Sequence, residues 1–195
     1  FITILYVREM VRTKKLFLAA IIFLFAKNVC AVEIHPMIGV WDYKHDTDAV
    51  ALNFKIVDHN NDINIKYLGK LQRTYDVSFF FDVNQGFSHL DMSNNTWNNE
   101  LSAYIGTGIA RPFYLTHSAK LSFVPSFSIG LYQEFENGKD MGFPIEFKSE
   151  VGLNYSAFKN SIIGVSYNHI SNADIGDKNP GSDNILFTFR LKEIF

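Results

Sequence analysis

Apolar and polar residues alternate along most of the chain after Ala31, and this alternation predicts β-strands rather than helices. Residues 143–155 are the clearest example, because large apolar residues share one parity while glutamate, lysine and asparagine share the other. Similar runs, separated by segments rich in turn residues, cover residues 34–40, 50–56, 75–83, 101–109, 121–131, 161–171 and 183–195. The pattern therefore predicts eight strands of about ten residues each.

Eight strands that each carry one apolar face predict a small closed antiparallel barrel. The opposite faces carry charges of both signs, which can pair inside a narrow barrel, and the chain ends on an aromatic residue in phase with the last apolar face. These charged and aromatic residues are Glu146, Lys148, Glu150, Arg190, Lys192 and Phe195. We therefore expect an all-β, eight-stranded antiparallel transmembrane β-barrel of the outer membrane, with its apolar faces toward lipid. A soluble lipocalin-like barrel, with the apolar faces inward, is the alternative.

The composition supports the barrel and argues against nucleic-acid binding. Aromatic residues make up 15% of the 195 residues, yet the mean hydropathy is +0.00, so apolar and polar residues are finely mixed. A formal net charge of −2 provides no basic field that would attract nucleic acid. The length is sufficient for one domain of ordinary size.

The N-terminal segment has the pattern of a secretory signal peptide. Basic residues precede an apolar run, residues 16–26, that is too short to span a bilayer, and small residues before Val32 predict cleavage after Ala31. We expect residues 1–9 to be an upstream, non-native extension, residues 10–31 the signal peptide, and residues 32–195 the barrel domain. The only cysteine, Cys30, would leave with the signal, so no disulfide is expected.

The order of the strands predicts which ends face outward. With a periplasmic N-terminus, the connections 87–99 and 133–142 are extracellular, and they are longer than the returns 116–119 and 156–160. The seventh strand then ends at the outer leaflet. The role of residues 58–72 stays open, because they fit an extension of the second or third strand or a separate periplasmic segment.

Three polar residues share the apolar parity at the outer ends of the last two strands. His169 and Ser171 continue the apolar parity of residues 163–167, and they lie about 7 Å apart along the strand. Asp183 has the parity of the apolar residues that follow it in the eighth strand. A hairpin makes the two strands neighbours, so these three side chains are expected to converge on the lipid-facing wall.

The three residue types suit acyl transfer. A serine hydroxyl becomes an effective nucleophile when an imidazole takes its proton, and a carboxylate fixes the imidazole tautomer and stabilises the imidazolium. Asn172, or a backbone N–H of the turn that follows, is a candidate to stabilise the oxyanion. A histidine and a serine at the rim are equally compatible with a non-catalytic barrel, because polar groups cost only about 0–1 kcal/mol near the interface.

The stretch HISNADIGDKNPGSDN, residues 169–184, resembles the signature of the PagL family of lipid A 3-O-deacylases. The shared features are H-x-S-N, a short Gly/Asn/Pro loop and a following acidic residue. The resemblance implies a carboxylic ester hydrolase that removes the 3-O-linked acyl chain of lipid A without a metal or cofactor. It implies His169 as base, Ser171 as nucleophile and Asp183 as the acid that orients the histidine, with Asn172 and Ala173 as oxyanion or substrate-binding residues.

This sequence departs from the family pattern at two positions. Asp183 stands where glutamate is usual, which shortens the side chain by one methylene, and Asp174 stands where a small residue is frequent. The implied partner is lipid A, or lipopolysaccharide, in the outer leaflet of a Gram-negative outer membrane. The pattern is compatible with a homodimer.

Two other functions remain open at the level of sequence. Outer-membrane phospholipase A also resembles this arrangement, with His-x-Ser on the lipid face of a barrel, but its third residue is an amide and its barrel has more strands. Asn184 would be that amide here, although its parity points inward. A catalytically silent surface barrel is the second alternative.

Overall fold

A computed structural model describes residues 32–42, 49–82, 101–135, 139–158 and 161–191. The predicted extension, signal peptide, Phe195 and connection 87–99 lie outside these residues. Among the residues that are described, no helix is long and apolar enough to cross a membrane.

The described residues form nine β-strands, one of which is a two-residue strand beside the barrel wall. The strands are β1 (Val32–Trp41), β2 (Ala49–Ile65), β3 (Gly69–Asp82), β4 (Leu101–Ala110), β5 (Phe113–Tyr114), β6 (Leu121–Phe135), β7 (Ile145–Phe158), β8 (Ser161–Ser171) and β9 (Ser182–Leu191). The short β5 pairs only with β6.

The eight long strands close into an antiparallel barrel. Consecutive strands pair along the chain, β1 pairs with β9, and β4 pairs with β6 past the short β5. Closure leaves none of the eight strands with an unpaired edge. The predicted eight-stranded antiparallel barrel is therefore confirmed.

The apolar faces of the strands point outward. Residues exposed on the outer surface include Ile38, Phe54, Phe81, Phe127, Val151, Val165, Phe187 and Phe189. Polar residues of the opposite parity are buried inside, among them Asn53, Lys55, Asp76, Ser128, Lys148, Asn168 and Arg190. This arrangement is the reverse of a lipocalin-like barrel, and it is what a barrel surrounded by lipid requires.

Opposite charges pair in the barrel interior. The Lys148 amino group lies 3.0 Å from an Asp76 carboxylate oxygen and 3.6 Å from Glu150. Lys55 donates to Glu150 at 2.5 Å and to the Ser126 hydroxyl at 2.8 Å. These charges are almost fully buried, so each depends on its partners to compensate for lost hydration. The network fills the middle of the barrel with side chains.

An aromatic and aliphatic cluster packs inside the barrel, behind the end of β8 and the start of β9. Trp41 stacks on Phe80 with ring centroids 5.1 Å apart, and Phe80 stacks on Tyr132 at 6.2 Å. Ile170 of β8 and Leu186 of β9 join this cluster from the inner face of the wall. The inner faces of these two strands are thereby fixed, which holds the outer faces in register.

Residues 58–72, whose role was open, extend two strands into one long hairpin. β2 and β3 continue past their other neighbours, with a register shift between Asp58 and Ile63 and a turn after Ile65. Gly69 leaves this turn with φ of 70°, a conformation that favours glycine. The segment therefore extends the second and third strands at the end of the barrel where β1 begins, which is the end opposite the β8–β9 connection.

The buried Lys148–Asp76 pair provides a test of the interior network. Replacing Lys148 with alanine leaves Asp76 buried without its closest cation, so we expect a loss of about 3–5 kcal/mol in the free energy of unfolding. The measurement is denaturant unfolding in detergent, followed by the heat-dependent change in gel migration that distinguishes folded from unfolded barrels.

Lys178→Ala is the matched control, because Lys178 pairs with Asp140 at the surface, with 56% and 57% of the two side chains exposed. Such an exposed pair contributes about 0–1 kcal/mol. Equal losses for the two variants would contradict the role given to the interior network.

Candidate active site

Strands β8 and β9 bring His169 and Asp183 face to face on the outside of the barrel. The two residues are direct partners in the antiparallel register. The exposed side chains of Val165 and Phe187 flank them on the same surface, which is the apolar one. Alternation along β8 places Ser171 on this surface as well, two residues beyond His169.

A hydrogen bond joins the imidazole to the carboxylate, with 3.0 Å between His169 Nδ1 and Asp183 Oδ1. A carboxylate can only accept, so Nδ1 carries the proton and Nε2 of the neutral ring is left as the basic nitrogen. The Asp183 side chain is 9% exposed, whereas the His169 side chain is 41% exposed. The pair therefore combines a sheltered carboxylate with an accessible base.

Ser171 ends β8 and is half-buried. Within the described part of the chain, its hydroxyl makes no hydrogen bond to His169. Hydrogen bonds between nucleophile and base are frequently long in ligand-free enzymes and shorten when substrate binds. The structure thus brings two of the three predicted residues into contact and places the third on the same face.

A second serine, Ser149 of β7, lies directly across from His169 in the register and is exposed on the same outer face. Facing residues on neighbouring strands have Cβ atoms about 4.5–5.5 Å apart. The sequence reasoning missed Ser149, because its position becomes apparent only when the β7–β8 register is known.

Tyr167 is a further residue that the sequence reasoning missed. Its hydroxyl donates to Asp183 Oδ1, the same oxygen that accepts the His169 bond. Tyr167 lies two residues before His169 on β8 and therefore on the same face of the strand. That shared face was the sequence feature that could have identified Tyr167. The carboxylate oxygen therefore receives two side-chain donors.

The predicted oxyanion residue Asn172 is fully buried in the turn that follows Ser171. Its side-chain amide donates to the backbone carbonyls of Met141 and Lys178, both at 2.8 Å. Its backbone N–H donates to Asn179 Oδ1 at 3.1 Å. The Asn172 side chain therefore ties the turn to the neighbouring loop that contains Met141.

Ala173 and Asp174, the next two residues of this turn, adopt left-handed conformations. Their φ angles are 54° and 60°, and the Asp174 carboxylate accepts a hydrogen bond from the Asn179 side chain at 3.0 Å. Non-glycine residues rarely occupy this region, and such strain is concentrated at functional sites. The turn after Ser171 is thus held in a defined, unusual shape.

The start of β9 is braced from two distant parts of the chain. Asp42 accepts the Asp183 backbone N–H at 3.4 Å, and its own N–H donates to Asn184 Oδ1 at 3.0 Å. The Lys139 amino group contacts both the Asp42 carboxylate and the Gly181 carbonyl. These contacts fix the backbone that carries Asp183.

Gly181 lies against the catalytic histidine candidate and needs to be glycine. Its φ is 61°, and a Cβ atom there would lie 3.0 Å from His169 Cε1.

An ion pair of 2.7 Å joins Lys178 to Asp140, and the hydrogen bond from Lys178 holds the pKa of the Asp140 carboxyl below its usual range. The loop around Asp140 is therefore joined to the turn by electrostatic contacts as well as by Asn172.

The site is an open patch of the barrel wall rather than a pocket of the interior. The cavity inside the barrel lies at the opposite end and is lined by residues such as Glu33, His35, Lys55 and Arg190. Across the described residues, no group of three or more His, Cys, Asp or Glu side chains could hold a metal ion.

A carboxylate–imidazole pair and a half-buried serine on the same apolar outer face of a barrel provide the chemical groups of a serine ester hydrolase. Residues 61–192 match the family model described as "Lipid A 3-O-deacylase (PagL)", which covers more than half of the chain. The chain therefore belongs to the PagL family of lipid A 3-O-deacylases, which are carboxylic ester hydrolases.

The fold comparison agrees with this assignment. A solved structure described as "Crystal structure of the outer membrane enzyme PagL" is similar, with a TM-score of 0.52 and 14% sequence identity. The similarity covers 84% of this chain and 100% of the other. No curated protein sequence matches this chain. At this identity the structural likeness establishes the shared barrel fold.

Substitutions at Asp183 test the carboxylate–imidazole pair. Asp183→Asn keeps the size of the side chain but removes the charge that stabilises an imidazolium, so turnover should fall by a factor of about 10²–10⁴. Asp183→Glu should keep or improve turnover, because it retains the charge and matches the usual family residue. The measurement is the steady-state rate of ester hydrolysis by folded protein in detergent.

Asn184→Ala is the comparison variant, since Asn184 points into the barrel and donates to Asn168. If Asn184→Ala abolished turnover while Asp183→Asn left it unchanged, the third residue would be misassigned and a phospholipase-like amide would replace it.

Proposed function

We propose that this protein is a serine esterase that hydrolyses the 3-O-linked hydroxyacyl chain of lipid A in the outer leaflet of a Gram-negative outer membrane. The observation that carries the proposal is the His169–Asp183 hydrogen bond on the apolar outer face of a barrel whose sequence belongs to the lipid A 3-O-deacylase family. Residues 10–31 would direct export of the chain and be removed from the mature protein.

In the first half of the reaction, His169 Nε2 takes the Ser171 hydroxyl proton while the serine oxygen bonds to the ester carbonyl carbon. The resulting tetrahedral intermediate collapses by breaking the bond to the sugar 3-oxygen. His169 returns the proton to that leaving oxygen, which becomes a free hydroxyl. The acyl chain is then attached to Ser171 as an ester.

In the second half, a water molecule replaces the sugar hydroxyl. His169 takes a proton from the water while the water oxygen attacks the acyl carbon. The intermediate then collapses by breaking the bond to the Ser171 oxygen, which releases the 3-hydroxy fatty acid. His169 returns the proton to Ser171, so the enzyme is regenerated. No oxidant, metal or other reactant is required.

Asp183 is proposed to supply electrostatic stabilisation in both halves. Each half passes through an imidazolium, and a carboxylate bonded to Nδ1 lowers the energy of that cation. The low exposure of the Asp183 side chain strengthens the interaction, because little water screens it. The shorter aspartate reaches the ring because the two residues are direct partners across β8 and β9.

The oxyanion is proposed to be stabilised from the turn that follows Ser171. The Asn172 amide already donates to two loop carbonyls, so we assign it the role of holding the turn in place. The backbone N–H of Ala173 is then the proposed donor, which the strained conformation of that turn supports.

Access from the membrane follows from the position of the site. The exposed apolar side chains of Val151, Val165 and Phe187 provide a surface along which an acyl chain can lie next to His169. Lipid A in the adjacent leaflet would reach Ser171 by lateral diffusion. The substrate therefore does not need to enter the barrel, whose middle is filled by the ion-pair network.

Ser171→Ala tests the proposed nucleophile. The change removes the attacking oxygen with almost no change in volume, so the barrel should fold while deacylation falls to background. Mass spectrometry of lipid A from cells that produce the parent should show loss of the 3-position hydroxyacyl chain, and cells with the variant should keep it.

Ser149→Ala is the matched control, because Ser149 also faces His169 from the outer surface. It should leave the lipid A profile the same as that of the parent. The proposal fails if folded Ser171→Ala protein deacylates lipid A as fast as the parent, or if the parent releases fatty acid only from glycerophospholipid.

A further inference from the structure

Tyr167 lies in the apolar wall next to the His169–Asp183 pair. Its register partners are Val151 on β7 and Ile185 on β9, which are apolar residues of the same outer face. A phenol hydroxyl in such surroundings needs a hydrogen-bond acceptor, since an unsatisfied one is costly away from water. The acceptor in this structure is Asp183 Oδ1.

The arrangement places two donors on one carboxylate oxygen. Asp183 Oδ1 accepts from Tyr167 and, at 3.0 Å, from His169 Nδ1. One hydrogen bond restrains an aspartate side chain only in part, and a second donor two residues away on β8 restricts its torsions further. Tyr167 and His169 stand two residues apart on one strand, so the strand itself sets the spacing of the donors.

We propose that Tyr167 is a positioning residue of the esterase: its hydroxyl orients the Asp183 carboxylate, which in turn orients His169. The catalytic consequence rests on the function proposed above, while the geometric consequence does not. Residues that hydrogen-bond to metal ligands typically change metal affinity or activity by about 10–100-fold when removed, and we expect a partner that orients a catalytic carboxylate to act on a similar scale.

The competing explanation is that Tyr167 is only an interfacial aromatic residue. Tyrosines concentrate where a barrel or helix meets the membrane–water boundary, and there the ring contributes through its contact with lipid. Under that explanation, the hydroxyl has no influence on the reaction. Tyr167→Phe separates the two cases, because it keeps the ring and removes only the hydroxyl.

The first measurement is the kinetics of Tyr167→Phe on lipid A, with the full chain folded in detergent. We expect kcat to fall about tenfold with KM within about twofold of the parent, since one hydrogen bond to a charged group is lost. Tyr155→Phe is the matched control, because Tyr155 is 44% exposed on the outer face of β7, where it faces Ile163 rather than the pair. It should leave kcat unchanged.

The second measurement is the same substitution in an Asp183→Ala background. There the Tyr167 hydroxyl has no carboxylate to orient, so Tyr167→Phe should change kcat by less than about twofold. A tenfold loss that persists in this background would overturn the proposal, as would a kcat for Tyr167→Phe within twofold of the parent.

The third measurement keeps the two proposals distinguishable. In protein with ¹⁵N-labelled histidine, the Nδ1–H resonance of His169, assigned by its absence in His169→Gln, reports the hydrogen bond to Asp183 without any substrate. Tyr167→Phe should shift this resonance and Tyr155→Phe should not. An inactive parent with a shifted resonance would defeat the deacylase proposal and keep the positioning role, whereas an unshifted resonance would defeat the positioning role whatever the activity.

Discussion

Side-chain alternation in a closed strand wall is the constraint on which the rest of this structure depends. Each side chain of a barrel strand must point either to the interior or to the surroundings, and a shift of one residue along the strand moves it from one to the other. Paired charges such as Lys148 with Asp76 fill the middle of the barrel and an apolar cluster fills the end behind His169, so the interior next to the site offers little room for a substrate. A reaction on a large lipid therefore requires residues whose side chains point outward, and the side chains of His169 and Asp183 do so.

His169 and Asp183 lie near one end of the barrel wall, and that position reduces the cost of outward-facing polar residues. A carboxylate facing the middle of the bilayer would be strongly destabilised, whereas the cost falls near the interface. Asp183 is further sheltered by two side-chain donors and by the backbone brace from Asp42. The same contacts that stabilise the carboxylate at this position also fix its direction toward His169.

Much of the fold follows from the sequence, because parity is a local property. The eight alternating runs, the outward apolar faces and the pairing of interior charges were all predictable from residue order alone. The hairpin at residues 58–72 was not, since the register shift between Asp58 and Ile63 breaks the alternation. A bulge of this kind depends on pairing with the neighbouring strand rather than on the residue types themselves.

The geometry of the candidate site was predictable where it depends on side-chain alternation and unpredictable where it depends on distant contacts. His169, Ser171 and Asp183 share one face, which alternation predicts, and Tyr167 has the same parity but carries no catalytic signature of its own. The Asp42 contact with the Asp183 backbone joins positions 141 residues apart, and the Asn172 contact with Met141 joins two separate loops. The facing position of Ser149 required the β7–β8 register. No pattern within a single segment contains this information.

Catalysis on the lipid-facing wall at one end of the barrel is tested most directly in asymmetric vesicles. The purified protein is inserted in one orientation, lipid A is placed in a single leaflet, and released 3-hydroxy fatty acid is measured by mass spectrometry. The account predicts release only when lipid A occupies the leaflet that borders His169 and Ser171. Equal release from lipid A in the opposite leaflet, or release of fatty acid from phospholipid with lipid A left intact, would contradict it.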